Sequence, residues 1–137
     1  MYKRIMVPVD LNQTDKLAGA LSMAGQMAEM CGGELIYAGV HGGAPSEVAH
    51  DKDEYAQKLD AFADAQPFAK IVKVSSLPIY SHDPAVEIAT GLVKAASEHK
   101  IDLIVMASHV PGWAEHVFHS NAGYVASHAP VSVFVVR

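Results

Sequence analysis

The stretch IDLIVMA, residues 101–107, holds one charged side chain, Asp102, among six apolar residues. A run this short and this apolar is typical of a strand that is covered on both faces, as strands of parallel sheets are. Upstream of this stretch, Asp83-Pro84 is typical of a helix start. Residues 85–100, which follow it, carry apolar side chains at helical spacing. We therefore expect a buried strand that follows a helix in a parallel sheet.

The rest of the chain repeats this alternation of short β-branched runs and longer segments of helical period. The predicted strands cover residues 5–9, 34–40, 70–76, 101–107 and 131–136, and the predicted helices cover residues 14–30, 54–65, 85–100 and 121–128. Such an order implies a three-layer α/β/α fold, with a parallel sheet, right-handed crossovers and helices on both faces. Polar residues alternate with apolar ones in 70–76, which favours an edge strand. The length of 137 residues fits one domain, residues 1–137.

Charge and composition narrow the class of protein. The formal net charge is −5 and lysine and arginine form no cluster, which argues against a nucleic acid as the main partner. No apolar run approaches the roughly 18 residues of a membrane span. Cys31 is the only cysteine, so we expect neither an intrachain disulfide nor a cysteine metal cluster. These features predict a soluble, cytoplasmic protein without a membrane partner.

Candidate ligand-binding residues follow the predicted strands. In open α/β sheets the ligand crevice lies outside the carboxyl ends of the strands. Asp10 follows the first strand, where it can accept hydrogen bonds from a ribose or simply initiate the turn DLNQTD. Ser120-Asn121 begins the last helix, where it can favour an anion or serve only as a helix cap.

The segment MASHVPGWAEHVFHSN, residues 106–121, connects the apolar strand to that helix. It contains one glycine, Gly112, whereas phosphate-binding loops are usually glycine-rich, and three histidines, His109, His116 and His119. No neighbouring cysteine or aspartate completes a metal-ligand set with these histidines, so we predict no metal site. The segment also lacks lysine and arginine.

Four stretches together resemble the universal stress protein family: KRIMVPVD, DPAVEIA, DLIVMAS and SNAGYVASHAPVSVFVVR. The resemblance spans nearly the whole chain. It implies an adenine-nucleotide alpha-hydrolase-like (Rossmann-like) fold with a five-stranded parallel sheet of order 3-2-1-4-5. It also implies an adenine-nucleotide site between strands 1 and 4, and a role in stress response or regulation.

The loop after strand 4 is similar to that of a family branch of small bacterial members with the pattern S-H-x-P, then G-S-N. Ser108, His109, Pro111, Ser120 and Asn121 match this pattern. By resemblance, Pro8, Val9 and Asp10 would line the adenosine, and Val40 would meet the adenine through its backbone. The phosphates and ribose would be surrounded by Ala107, Ser108, His109, Ser120, Asn121 and Ala122.

His119 departs from the pattern, because it stands where the family has the glycine that lets the backbone approach a phosphate. Two outcomes are open. The imidazole donates a hydrogen bond to a phosphate, and the chain binds ATP or another adenine nucleotide. Alternatively the ring blocks the triphosphate, and the chain is a homodimeric interaction protein with the same fold that has lost nucleotide binding.

The sequence lacks the motifs of the common nucleotide hydrolases and serine hydrolases. The sequence contains neither G-x-x-x-x-G-K-[ST] nor G-x-S-x-G, so we expect at most slow, incidental ATP hydrolysis. A Mg²⁺ ion accompanying ATP would be held mainly by phosphate oxygens.

The last strand, Val131 to Val136, is apolar on both faces and should lie at a sheet edge, where it can pair with a second copy of the chain. The resemblance implies the same homodimer.

Overall fold

Five strands and four α-helices alternate along the parts of the chain that the computed structural model describes, which are residues 1–42, 44–108 and 121–137. In chain order they are β1 (Arg4–Pro8), α1 (Ala18–Cys31), β2 (Glu34–His41), α2 (Lys52–Ala65), β3 (Val74–Tyr80), α3 (Pro84–Glu98), β4 (Leu103–Ala107), α4 (Asn121–His128) and β5 (Ser132–Val136). Short 3₁₀ helices at Thr14–Leu17 and Pro67–Lys70 precede α1 and β3.

The strands form one parallel sheet of order β3-β2-β1-β4-β5. This confirms the fold class and the strand order that the resemblance implies. β1 is therefore the central strand, with β2 on one side and β4 on the other. Their registers place Pro8 opposite Ala38 and Met6 opposite Ile104.

Helices cover both faces of the sheet, and each face has its own apolar core. On one face Ile5 and Val7 of β1 pack with buried residues of α1 and α2, including Ala24 and Leu59. On the other, Met6 packs with buried residues of α3 and α4, including Leu92 and Val125. β4 contributes to both cores, because Ile104 and Val105 are fully buried on opposite faces. The prediction of a strand covered on both sides is confirmed.

The third strand lies further along the chain than predicted. Residues 70–76 were expected to form it, but β3 runs over Val74–Tyr80, Lys70 ends a 3₁₀ helix, and residues 71–73 connect the two. The prediction was wrong because Pro78 lies inside the strand. Proline is tolerated there since β3 is an edge strand that pairs only with β2, so a missing N–H can face outward. The edge position itself is confirmed.

The starts of α3 and α2 differ in how they are capped, because the Asp83 side chain makes no cap hydrogen bond and the Asp51 side chain makes one. Pro84 is the first residue of α3 and Asp83 its N-cap, as predicted from the sequence. At α2 the Asp51 carboxylate accepts a hydrogen bond from the Glu54 backbone N–H at 2.8 Å, and the Glu54 carboxylate accepts one from the His50 N–H at 2.7 Å. This reciprocal arrangement satisfies two backbone donors at the helix start. Among the described helices, none combines the length and the apolar character that a membrane span requires.

Candidate functional site

Three strand ends meet at one level at the carboxyl edge of the sheet. Continued two residues beyond Pro8, the β1–β2 register brings Asp10 level with Val40. The β1–β4 register ends with Met6 opposite Ile104, and counting four residues onward along both segments brings Asp10 level with Ser108. Val40 is in β2, and Asp10 and Ser108 follow the ends of the neighbouring strands β1 and β4, so the three residues follow one another along the carboxyl edge of the sheet. We call these three residues the strand-end row.

Asp10 occupies the centre of this row and performs the turn role considered for it. Its Oδ1 accepts a hydrogen bond from the Asn12 N–H at 2.9 Å, and its carbonyl accepts one from the Gln13 N–H at 3.0 Å. The other carboxylate oxygen, Oδ2, is buried and has no hydrogen-bond partner among the described residues. A buried acceptor without a donor is costly, so Oδ2 is a ready partner for a donor on a ligand.

Val40 offers the row a backbone donor and a backbone acceptor. Successive residues of a strand direct their N–H and C=O groups to alternate neighbouring strands. The carbonyl of Ala38 accepts from Val9 N–H on the β1 side, and that of His41 accepts from Ser81 N–H on the opposite side. Val40 therefore directs its N–H and C=O toward β1, at a level where that strand has ended. Such a pair of groups suits the edge of a planar heterocycle.

Aromatic side chains from β2, α2 and β3 pack together next to Val40. The His41 and Tyr55 rings are stacked, with centroids 4.6 Å apart, and Tyr80 packs edge-on against His41 at 6.5 Å. Burial raises the pKa of Tyr55, and the negative charge of Asp10 raises it further. The Tyr55 hydroxyl is thus neutral at physiological pH, in the electrostatic field of Asp10. Tyr55 was not expected near the site, since its spacing in the helix indicates only a core position.

The β4 side of the site is described in part. Ser108 donates its backbone N–H to the Val136 carbonyl at 2.8 Å, which ties the end of β4 to β5. Asn121 is the first residue of α4, and Ala122 is buried against the core on that face. Of the predicted site residues, the structure brings Pro8, Val9, Asp10, Val40, Ala107 and Ser108 to the carboxyl edge of adjacent strands. His109, Pro111, His119 and Ser120 lie outside the described residues.

The described part of the chain contains no candidate metal site. No three histidine, cysteine, aspartate or glutamate side chains within residues 1–42, 44–108 and 121–137 come together in a way that could hold a metal ion. His109, His116 and His119, the histidines considered as metal ligands, lie outside those ranges.

The sheet order and the sequence agree with a known family. The model of the universal stress protein family matches residues 1–137. The chain belongs to the universal stress protein family. The universal stress protein UspA from Lactobacillus plantarum is 25% identical, with a TM-score of 0.69 over 99% of this chain and 98% of that one.

Two further universal stress proteins of the same fold were solved with a nucleotide. One, from Archaeoglobus fulgidus, is in complex with dAMP; it is 21% identical, with a TM-score of 0.68 over 99% of this chain and 98% of that chain. Another is in complex with cAMP; it is 22% identical, with a TM-score of 0.71 over 99% of this chain and 97% of that chain. At these identities the likeness establishes the shared fold.

Proposed function

We propose that this chain is a regulatory adenine-nucleotide-binding protein of the stress response, with the ligand lying along the strand-end row. The observation that carries the proposal is the buried Oδ2 of Asp10, which lacks a donor among the described residues. A ribose hydroxyl would supply that donor. Relatives of the same fold bind the adenine nucleotides dAMP and cAMP, which supports this ligand class.

The groups along the strand-end row suit the parts of a nucleotide in their order, from adenine through ribose to phosphate. On the β2 side, the backbone N–H and C=O of Val40 suit the edge of adenine. In the centre, the Asp10 carboxylate suits the ribose. On the β4 side, Ala107 and Ser108 lie where the chain continues toward residues 109–120, with α4 beginning at Asn121. We place the phosphates there, together with His109, Pro111, His119 and Ser120.

The decisive test is calorimetry on wild type and Asp10→Asn with AMP, ADP and ATP, each with and without Mg²⁺. Asparagine keeps the Oδ1 acceptor that holds the turn but turns the second oxygen into a donor. Loss of a hydrogen bond to a charged group should weaken binding roughly 10- to 100-fold. Asp60→Asn is the matched control, because Asp60 is exposed on α2 and its Oδ1 accepts a hydrogen bond from the Ser76 hydroxyl at 3.1 Å. Equal affinities of wild type and Asp10→Asn would refute the role of Asp10.

His119 separates this function from its alternative, a homodimeric interaction protein that has lost the ligand. The same titrations on His119→Gly decide between them. Binding that is absent in wild type and present in His119→Gly supports the alternative. Binding in wild type that is weaker in His119→Gly makes the imidazole a phosphate ligand. If neither protein binds any of the three nucleotides, the assigned site is wrong.

We further propose that the protein forms a homodimer through β5. This strand pairs only with β4, so its other edge is open within the described sheet. Phe134 and Val135, on opposite faces of β5, are both more than a third exposed. An apolar edge strand of this kind favours pairing with an identical strand in a second copy.

A further inference from the structure

An open cleft of about 540 Å³ lies beside the strand-end row, where the start of α1 faces the ends of β4 and β5. It is lined on one side by Lys16, Gly19 and Ala20 and on the other by Ala107, Ser108 and Arg137, among others. Its volume lies within the range of small-molecule sites, about 300–1,000 Å³. Two of the described lining residues are cations and none is acidic, so the cleft suits an anion.

The cleft is continuous with the proposed nucleotide site. Ala107 lies opposite Val136 in the β4–β5 register, which brings the next residues, Ser108 and Arg137, level with each other. Arg137 therefore lies beside Ser108, just past the end of the strand-end row. The Ser108 backbone N–H donates to the Val136 carbonyl, so the hydroxyl is the hydrogen-bond donor that Ser108 can offer to an anion.

The positive charges of Lys16 and Arg137 matter because cations are scarce elsewhere near Ser108. The chain has a formal net charge of −5, and residues 109–120 contain no lysine or arginine. Phosphates placed beside Ser108 would therefore find no side-chain cation in the loop that follows. Lys52, which also lies near the carboxyl edge, has its ammonium group 4.9 Å from the Tyr80 ring, at the end of β3 and away from Ser108. Lys16 and Arg137 supply positive charge on the Ser108 side.

Small residues keep the cleft open. A Cβ atom on Gly19 would stand 3.4 Å from Cγ1 of Val136, at ordinary contact distance. A longer side chain there would take up part of the space that Gly19 leaves in the cleft wall. Ala20 adds only a methyl group to the same wall.

We propose that this cleft is a polyphosphate subsite, in which Lys16 and Arg137 bind the terminal phosphates of an adenine nucleotide and the Ser108 hydroxyl donates to them. The proposal rests on the proposed nucleotide site and extends it. It predicts a preference for ATP over AMP, because AMP has no phosphate that reaches the cleft.

The test compares ATP, AMP and inorganic triphosphate by calorimetry on wild type, Lys16→Met, Arg137→Met and the double variant. Methionine keeps an apolar stem and removes only the charge. ATP affinity should fall roughly tenfold in the double variant, while AMP affinity changes less than about twofold. The dependence of ATP affinity on salt should also weaken, since fewer charge pairs form. Lys94→Met is the control, because Lys94 lies on α3 and pairs with Glu98 at 3.7 Å.

Each outcome bears on one of the two proposals. If ATP and AMP bind wild type but the double variant keeps its ATP affinity, or loses both equally, the subsite is wrong and the nucleotide site stands. If wild type binds no adenine nucleotide, the proposed function fails. In that case inorganic triphosphate decides: binding to wild type that the double variant loses supports the subsite, and no such binding refutes it. Equal thermal melting temperatures of wild type and variants exclude unfolding as the cause.

Discussion

The hydroxyl group of Tyr55 lies over the backbone of Gly39, in the place where a Cβ atom would stand. The Tyr55 ring also stacks on the His41 ring, with the two centroids 4.6 Å apart. Glycine in β2 therefore makes room for a helix side chain that forms a wall of the proposed site.

Gly39→Ala should destabilise the fold. The added methyl group would overlap the Tyr55 hydroxyl and lie 3.1 Å from its Cζ, and the buried ring has little space to move. Overpacking of this kind costs about 1–3 kcal/mol in the free energy of unfolding, measured by urea denaturation. Tyr55→Phe in the same protein should recover part of that loss, since it removes the nearest atom.

Gly91→Ala is the matched control for that substitution. Gly91 lies inside α3, and a Cβ there would be 3.5 Å from the nearest atom of Ile79, an ordinary contact. Alanine is the better helix former, so this variant should be about 0.5–1 kcal/mol more stable than wild type. Equal effects of the two substitutions would contradict the steric explanation.

Asp51→Ala should weaken the start of α2. It removes the carboxylate that accepts from the Glu54 N–H, and loss of such a cap costs about 1 kcal/mol. Asp51→Asn retains an acceptor at the same place and should be nearly neutral. The free energies of unfolding from urea titration should therefore rank Asp51→Asn close to wild type and Asp51→Ala below both. A neutral Asp51→Ala would show that this cap contributes nothing to stability.

Alkaline pH should destabilise the protein through Tyr37. Burial raises the pKa of Tyr37 to about 12 from an ordinary value of 10.0. Below pH 10 the hydroxyl is neutral in both states; between pH 10 and about 12 the unfolded chain releases its proton while the folded chain keeps it. The free energy of unfolding should therefore fall across this window, and Tyr37→Phe should reduce the slope. Identical slopes in the two proteins would contradict the assignment.

Phe134→Lys should disrupt the proposed homodimer. It places a charge on the exposed edge strand, where like charges from two copies would meet. Light scattering at micromolar concentration should report a dimer for wild type and a monomer for the variant. Ile71→Lys is the control, because Ile71 is 57% exposed but precedes β3, at the other edge of the sheet. A monomeric wild type would reject the dimer.

Sequence patterns predicted the buried strand β4 well because Ile104 and Val105, on opposite faces, are both apolar. They failed at β3, since Pro78 is a breaker in most strands and is tolerated only at an edge. The patterns also located Asp10 and Val40 at strand ends. What they could not give was the strand-end row, which depends on registers between segments far apart in sequence. Arg137 in particular becomes a site candidate only when β5 is seen beside β4.

The common direction of the strands bears on how the protein should be handled in the laboratory. Residue 1 precedes β1 at the amino edge of the sheet, whereas Arg137 follows β5 at the carboxyl edge, beside the cleft. A polyhistidine tag joined to Arg137 would crowd the cleft that we propose as the polyphosphate subsite. A tag before Met1 would stand at the far end of a five-residue strand, roughly 16 Å away. An environment-sensitive fluorophore attached at position 137 would, by the same geometry, test occupancy of the proposed polyphosphate subsite.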